Sequence, residues 1–60
     1  MAFELKEKVS LVRDLPALSM TSYSNGVIVH DYEDGYYEVE FEQVGEAGPR
    51  RLTIAARDLE

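Results

Sequence analysis

Polar and apolar residues alternate along most of this chain, with almost no recurrence at helical spacing. The clearest run is Asn25 to Val44, NGVIVHDYEDGYYEVEFEQV. Val27, Ile28 and Val29 are β-branched, Asp34-Gly35 is a turn dipeptide, and Tyr36 to Glu42 alternates strictly. Asp-Gly between two strand-like runs predicts a β-hairpin, because a two-residue type I′ turn needs φ > 0 at both central positions. In the return strand Tyr37, Val39 and Phe41 share one face and Glu38, Glu40 and Glu42 the other. A turn centred on Asp34-Gly35 pairs Tyr32 with Tyr37, His30 with Val39, Ile28 with Phe41 and Asp31 with Glu38. One face of the hairpin is then apolar and the other acidic.

The flanking segments fit around this hairpin. Val9 and Leu11 alternate with Lys8 and Ser10, predicting a first strand at about Lys8 to Arg13, with Phe3 and Leu5 near one end of the core. A short helix over residues 3–8 is the alternative, without a capping signal. Asp14-Leu15-Pro16 ends the strand, since proline removes a ladder donor. Residues 17–25 form a Ser/Thr-rich loop, in which Leu18 or Met20 is expected to tuck inward and Tyr23 to sit on the surface. Glu46 to Pro49 is a second turn, with Gly45 and Gly48 able to take φ > 0. Leu52 and Ile54 alternate with Arg51 and Thr53 in a fourth strand, Arg50 to Ala55. A 3-10 or helical turn at Ala56–Leu59 then returns Leu59 to the core.

Four or five short strands with tight turns predict an all-β fold: a small antiparallel barrel of SH3-like type over residues 1–60, with a 3-10 turn near the C-terminus. The expected core is Val9, Leu11, Ile28, Val39, Phe41, Leu52 and Ile54, joined by Tyr37. Sixty residues make one small domain, and the chain has no cysteine to staple it. No apolar run approaches the length of a membrane span. MAFELKEKV carries no apolar signal core, which favours the cytoplasm.

Charge adds a further constraint. The net charge is −6, and between Asp14 and Pro49 there are eight acids and no Lys or Arg. Such a middle repels phosphate backbones and disfavours sequence-independent nucleic-acid binding. It suits a basic partner, and equally it keeps a small domain soluble.

Four segments, LVRDLP at Leu11 to Pro16, GVIV at Gly26 to Val29, DGYYEVEF at Asp34 to Phe41 and RLTIAARDLE at Arg51 to Glu60, give the chain a resemblance. In that order it is similar to a family of small, uncharacterised bacterial proteins with an SH3-like barrel. Some of those proteins sit in toxin–antitoxin or immunity gene neighbourhoods, so the resemblance implies an inhibitor as one expectation. The chain departs from the family where glycines and an apolar residue usually lead into Gly26; here Tyr23 and Asn25 stand. A more distant likeness to KOW-type barrels of ribosomal and transcription factors normally brings basic residues that this chain lacks.

His30 is the one histidine, with Asp31, Glu33 and Asp34 close in sequence. A general base with a carboxylate orienter is the chemical reading. The expected register puts His30 against the core beside no nucleophile, and the chain is short for a substrate pocket, so no catalytic residue is assigned. Asp31 to Gly35 does not space its ligands as an EF-hand does and is assigned to turn chemistry. No cofactor or metal is expected. Tyr32 and Tyr37 are expected as a cross-strand core pair, with Tyr36 outside among the glutamates. The function expected is therefore a non-enzymatic protein-binding module, such as an antitoxin- or immunity-type inhibitor. Its partner-binding face is assigned to Val27, Val29, Asp31, Tyr36, Glu38, Glu40 and Glu42. An adaptor subunit of an enzyme complex, recognising through loop 17–25, and a KOW-like nucleic-acid binder are the alternatives.

Overall fold

The computed structural model describes residues 3–42 and 48–60. It is all-β, with four antiparallel strands in the order β1 (Lys8–Ser10), β2 (Asn25–Asp31), β3 (Tyr36–Phe41) and β4 (Arg50–Ala55). The sheet is an unclosed meander. Short 3-10 turns follow at Pro16–Leu18 and Ala56–Asp58. The expected turn at Ala56–Leu59 and the fourth strand are found where the sequence predicts them. The alternative of a short helix over residues 3–8 is not what forms: residues 5–6 make a turn, and Lys6 and Glu7 hydrogen-bond to Ile28 across the sheet. β1 itself stops at Ser10, three residues earlier than predicted, with Leu11 in an isolated bridge to Leu59.

Period-two alternation builds the core from one face of the sheet. Phe41, Leu11, Ile28, Ile54 and Val39 are fully buried, and Val9, Tyr37 and Leu59 nearly so. Leu52 is half-buried at the margin. Leu59 plugs one end as predicted, and Met20 closes another, with Leu18 packed beside it. Phe3 meets the Tyr37 ring edge-on at 5.5 Å and donates its backbone N–H to the Tyr37 hydroxyl at 3.1 Å. Leu5 stays exposed, contrary to its expected place over the core.

Gly26 is where the backbone comes closest to this core. It opposes Phe41 on one side and Val9 on the other. A Cβ there would stand 2.6 Å from Val39 Cγ1, 2.9 Å from the Glu40 carbonyl oxygen and 3.0 Å from Phe41 Cδ1. Asn25-Gly26 thus serves close packing inside β2 and is not a turn.

The central hairpin forms with a different register from the expected one. Ile28 opposes Val39, not Phe41; His30 opposes Glu38, not Val39; Asp31 opposes Tyr37, not Glu38. Two features cause the shift. A bulge lies between Ile28 and His30, leaving Val29 without a partner residue. The loop is also three residues long, closed by the Tyr32 N–H donating to the Tyr36 carbonyl at 3.2 Å. Positive φ falls at Glu33 (64°) and Gly35 (93°), not at Asp34. The Glu33 turn is held by its N–H donating to Asp31 Oδ1 at 2.7 Å, and Asp34 Oδ1 accepts from the Tyr36 N–H at 3.2 Å. These carboxylates are occupied by turn amides.

The loop after β1 is better ordered than its composition suggests. Leu15 and Met20 form a bridge around the first 3-10 turn, and Asp14 Oδ1 accepts the Ser22 N–H at 2.7 Å. Tyr23 is 75% exposed, on the loop surface as expected. Of the second turn, Gly48 has φ 70° as predicted. Gly45, Glu46 and Ala47, and the expected exit of the strand near Val44, lie outside the described residues.

Candidate functional site

The outer face of the sheet carries the acids, and its geometry follows from pairing one row at a time. In the first row Lys8 opposes Val27, Val27 opposes Glu40, and Glu40 opposes Arg51. Arg51 Nε donates to Glu40 Oε1 at 2.8 Å. That hydrogen bond, and then the Glu40 charge, hold the Arg51 guanidinium above its already high range. In the second row His30 opposes Glu38, and Glu38 opposes Thr53. The Tyr32 hydroxyl donates to Glu38 Oε1 at 2.9 Å, and the Tyr32 ring meets His30 at 4.5 Å between centroids. The Tyr32 phenol is pushed up, first by its bond to Glu38, which the phenolate would lose, then by burial and by the Glu38 charge, with Thr53 opposing. Tyr36, 43% exposed, ends the face opposite Ala55.

Several assignments change as a result. His30 and Tyr32 are exposed, outside and beside Glu38, rather than in the core. Tyr37 keeps its core place without Tyr32 as a cross-strand mate. Asp31 leaves the acidic face: beyond the bulge it sits on the Tyr37 side of the ladder. Val29 is half-buried at the bulge itself. Val27, Tyr36, Glu38, Glu40 and Glu42 remain together, and Val27, Glu40 and Glu42 border one shallow groove of about 310 Å³ with Lys8 and Ser10.

Lys8 and Arg51 are the residues that sequence reasoning missed on this face. The stretch from Asp14 to Pro49 has no cation, yet its neighbours in space come from outside it. Period two offered the signal, since Arg51 must face outward wherever Leu52 and Ile54 face inward. After Arg51 is paired, Glu38 and Glu42 are the outer-face acids without an ion pair among the described residues.

Asp58 is the one charged side chain buried among the described residues. Arg13 Nε stands 3.0 Å from its Oδ1 as an ion pair, at an angle too poor for a hydrogen bond. Both residues lie where the C-terminus meets the chain after β1, which gives the pair a structural task. No cluster of three His, Asp or Glu capable of holding a metal is present among the described residues, and no helix among them is long and apolar enough to cross a membrane.

A family model described as a domain of unknown function, DUF4926, matches residues 5–60. The chain belongs to the DUF4926 family. No curated protein and no solved structure matches it. The span shared with DUF4926 includes all four strands, both 3-10 turns and every residue of the outer face.

Proposed function

We propose that this DUF4926 domain is a non-enzymatic protein-binding module that docks its outer sheet face on a basic surface of its partner. The observation that carries the reading is that Glu38 and Glu42, which have no ion pair among the described residues, share the outer face with an exposed Tyr36 and the half-buried Val27. Acids steer a basic partner and set register, while tyrosine is a favoured interface anchor. In the finer form of the proposal the domain is an inhibitor of antitoxin or immunity type. Its target is then an enzyme that handles nucleic acid, whose phosphate-binding surface the acids mimic.

We also read the domain as an SH3-like barrel. Support comes from the C-terminal backbone, which returns to the first strand after a 3-10 turn. Ser10 and Glu60 exchange hydrogen bonds of 3.0 and 2.9 Å, and the Val12 N–H donates to the Asp58 carbonyl at 2.9 Å.

The test is purification of the tagged domain from its native host, beside a Glu38→Lys, Glu42→Lys variant. The proposal expects a basic protein retained by the natural sequence at low salt, eluted by salt, and lost from the variant. Equal retention of that protein by both forms would overturn it.

A further inference from the structure

The two edges of the sheet are treated differently. The β1 edge is covered by the C-terminus, through the bonds of Ser10 to Glu60 and Val12 to Asp58. The β4 edge has no backbone partner among the described residues. Which groups it presents follows from the ladder. Ala56 N–H donates to the Gly35 carbonyl at 2.8 Å, so Gly35 and Ala56 form a hydrogen-bonded pair. Alternation then makes Tyr37–Ile54 and Val39–Leu52 the bonded pairs. The N–H and C=O of Arg51 and Thr53 consequently point away from β3, along the open edge.

An open edge of this length is a template for another strand, and proteins commonly blunt such edges with lysine, proline or a bulge. β4 is six residues long, its pairing with β3 is unbroken, and it has no proline within it. Beside it lies a groove of about 330 Å³ lined by Leu15, Pro16, Leu18, Tyr36, Thr53 and Ile54. Apolar side chains of an added strand have a place there, while alternate ones lie on the outer side beside Arg51.

Charge selects the occupant. Arg50, Arg51 and Arg57 all lie on β4 or just past it, and Arg57 is exposed with no ion pair among the described residues. The strand that β4 already accepts, β3, alternates glutamate with apolar residues and uses Glu40 to engage Arg51. We infer that the free edge of β4 is a strand-addition site for an extended partner segment in which acidic and apolar residues alternate. Main-chain bonds to Arg51 and Thr53 supply the attachment, and Arg57 with the Leu15–Ile54 groove supplies selectivity, since Arg51 is engaged by Glu40 and Arg50 by the Met20 sulfur.

The test uses a capped Glu-Val-Glu-Val-Glu-Val peptide and its Lys-Val counterpart, titrated into the isotopically labelled domain at low salt. The Glu-Val peptide is expected to shift the amides of Arg51 and Thr53 and slow their exchange with solvent, and to bind several-fold more tightly than the Lys-Val peptide. Thr53→Pro removes an outward N–H without touching a β3 bond and should abolish the effect. If that variant does not fold, Arg57→Glu, at an exposed site, should reduce the preference for the acidic peptide. Shifts confined to other strands, equal binding of the two peptides, or β4 amides already protected in a dimer of the free domain would each overturn the inference.

Discussion

The two faces of the β2–β3–β4 sheet have nearly the same amount of regular structure but very different tolerances. On the inner face, Gly26, Ile28, Val39, Phe41 and Ile54 leave no room: a single added carbon at Gly26 comes within 2.6 Å of its neighbour. On the outer face, Tyr32 with Glu38 and Arg51 with Glu40 meet through polar contacts that water can replace, and His30 meets the Tyr32 ring edge-on. The difference separates what holds the fold from what is free to recognise a partner. Packing on the inner side is collective and sensitive to one methylene. Exposed ion pairs and hydrogen bonds contribute little each.

The largest break in this comparison is Phe41→Ala. It empties the centre of the core and should cost about 3–5 kcal/mol, most of what so small a domain has. Chemical denaturation would read it, and a nearly unchanged midpoint would mean that Phe41 is not central. Gly26→Ala tests the same face by overfilling it. The new methyl meets Val39 and the Glu40 carbonyl, with an expected loss of about 1–3 kcal/mol; unchanged stability would show that β2 can move away from β3.

The outer face should respond more weakly. Glu40→Gln removes the charge that Arg51 engages, and its effect on the melting temperature should fall below that of Gly26→Ala. Smallest of all is the Tyr32–Glu38 bond. The phenol is raised in the folded state, so its contribution to stability is present below the ordinary tyrosine range and lost as pH rises through the folded value. Ultraviolet titration, with Tyr32→Phe as the difference, should place this tyrosine above the ordinary tyrosine range. A midpoint at or below that ordinary range would mean that the hydrogen bond to Glu38 is not held in solution.

Much of the inner face was legible because alternation is local. Val9, Leu11, Ile28, Val39, Phe41 and Ile54 declare themselves by period two, whichever residues they oppose. Register is a relation between strands, and the bulge at Val29 leaves no mark in a run of three β-branched residues. The three-residue loop likewise hides behind Asp34-Gly35, which reads as a two-residue turn. Both errors fell on the half of β2 nearest the loop, which is why His30, Asp31 and Tyr32 changed face, while Ile28, displaced by two residues, changed partner but kept its face. The outer face was half legible for a further reason. Its acids are contiguous in sequence, whereas Lys8 and Arg51, which moderate them, arrive from strands far along the chain.

The division between a face that holds the fold and a face free to bind is tested most directly on one variant, Glu38→Lys with Glu42→Lys. The decisive quantity is the denaturant midpoint of its unfolding beside that of the natural sequence. A stability within about 0.5 kcal/mol of the natural one, or slightly above it, is the predicted result for outer-face positions outside the core. A loss approaching that of Phe41→Ala would contradict the division and make the outer acids part of what holds the sheet together.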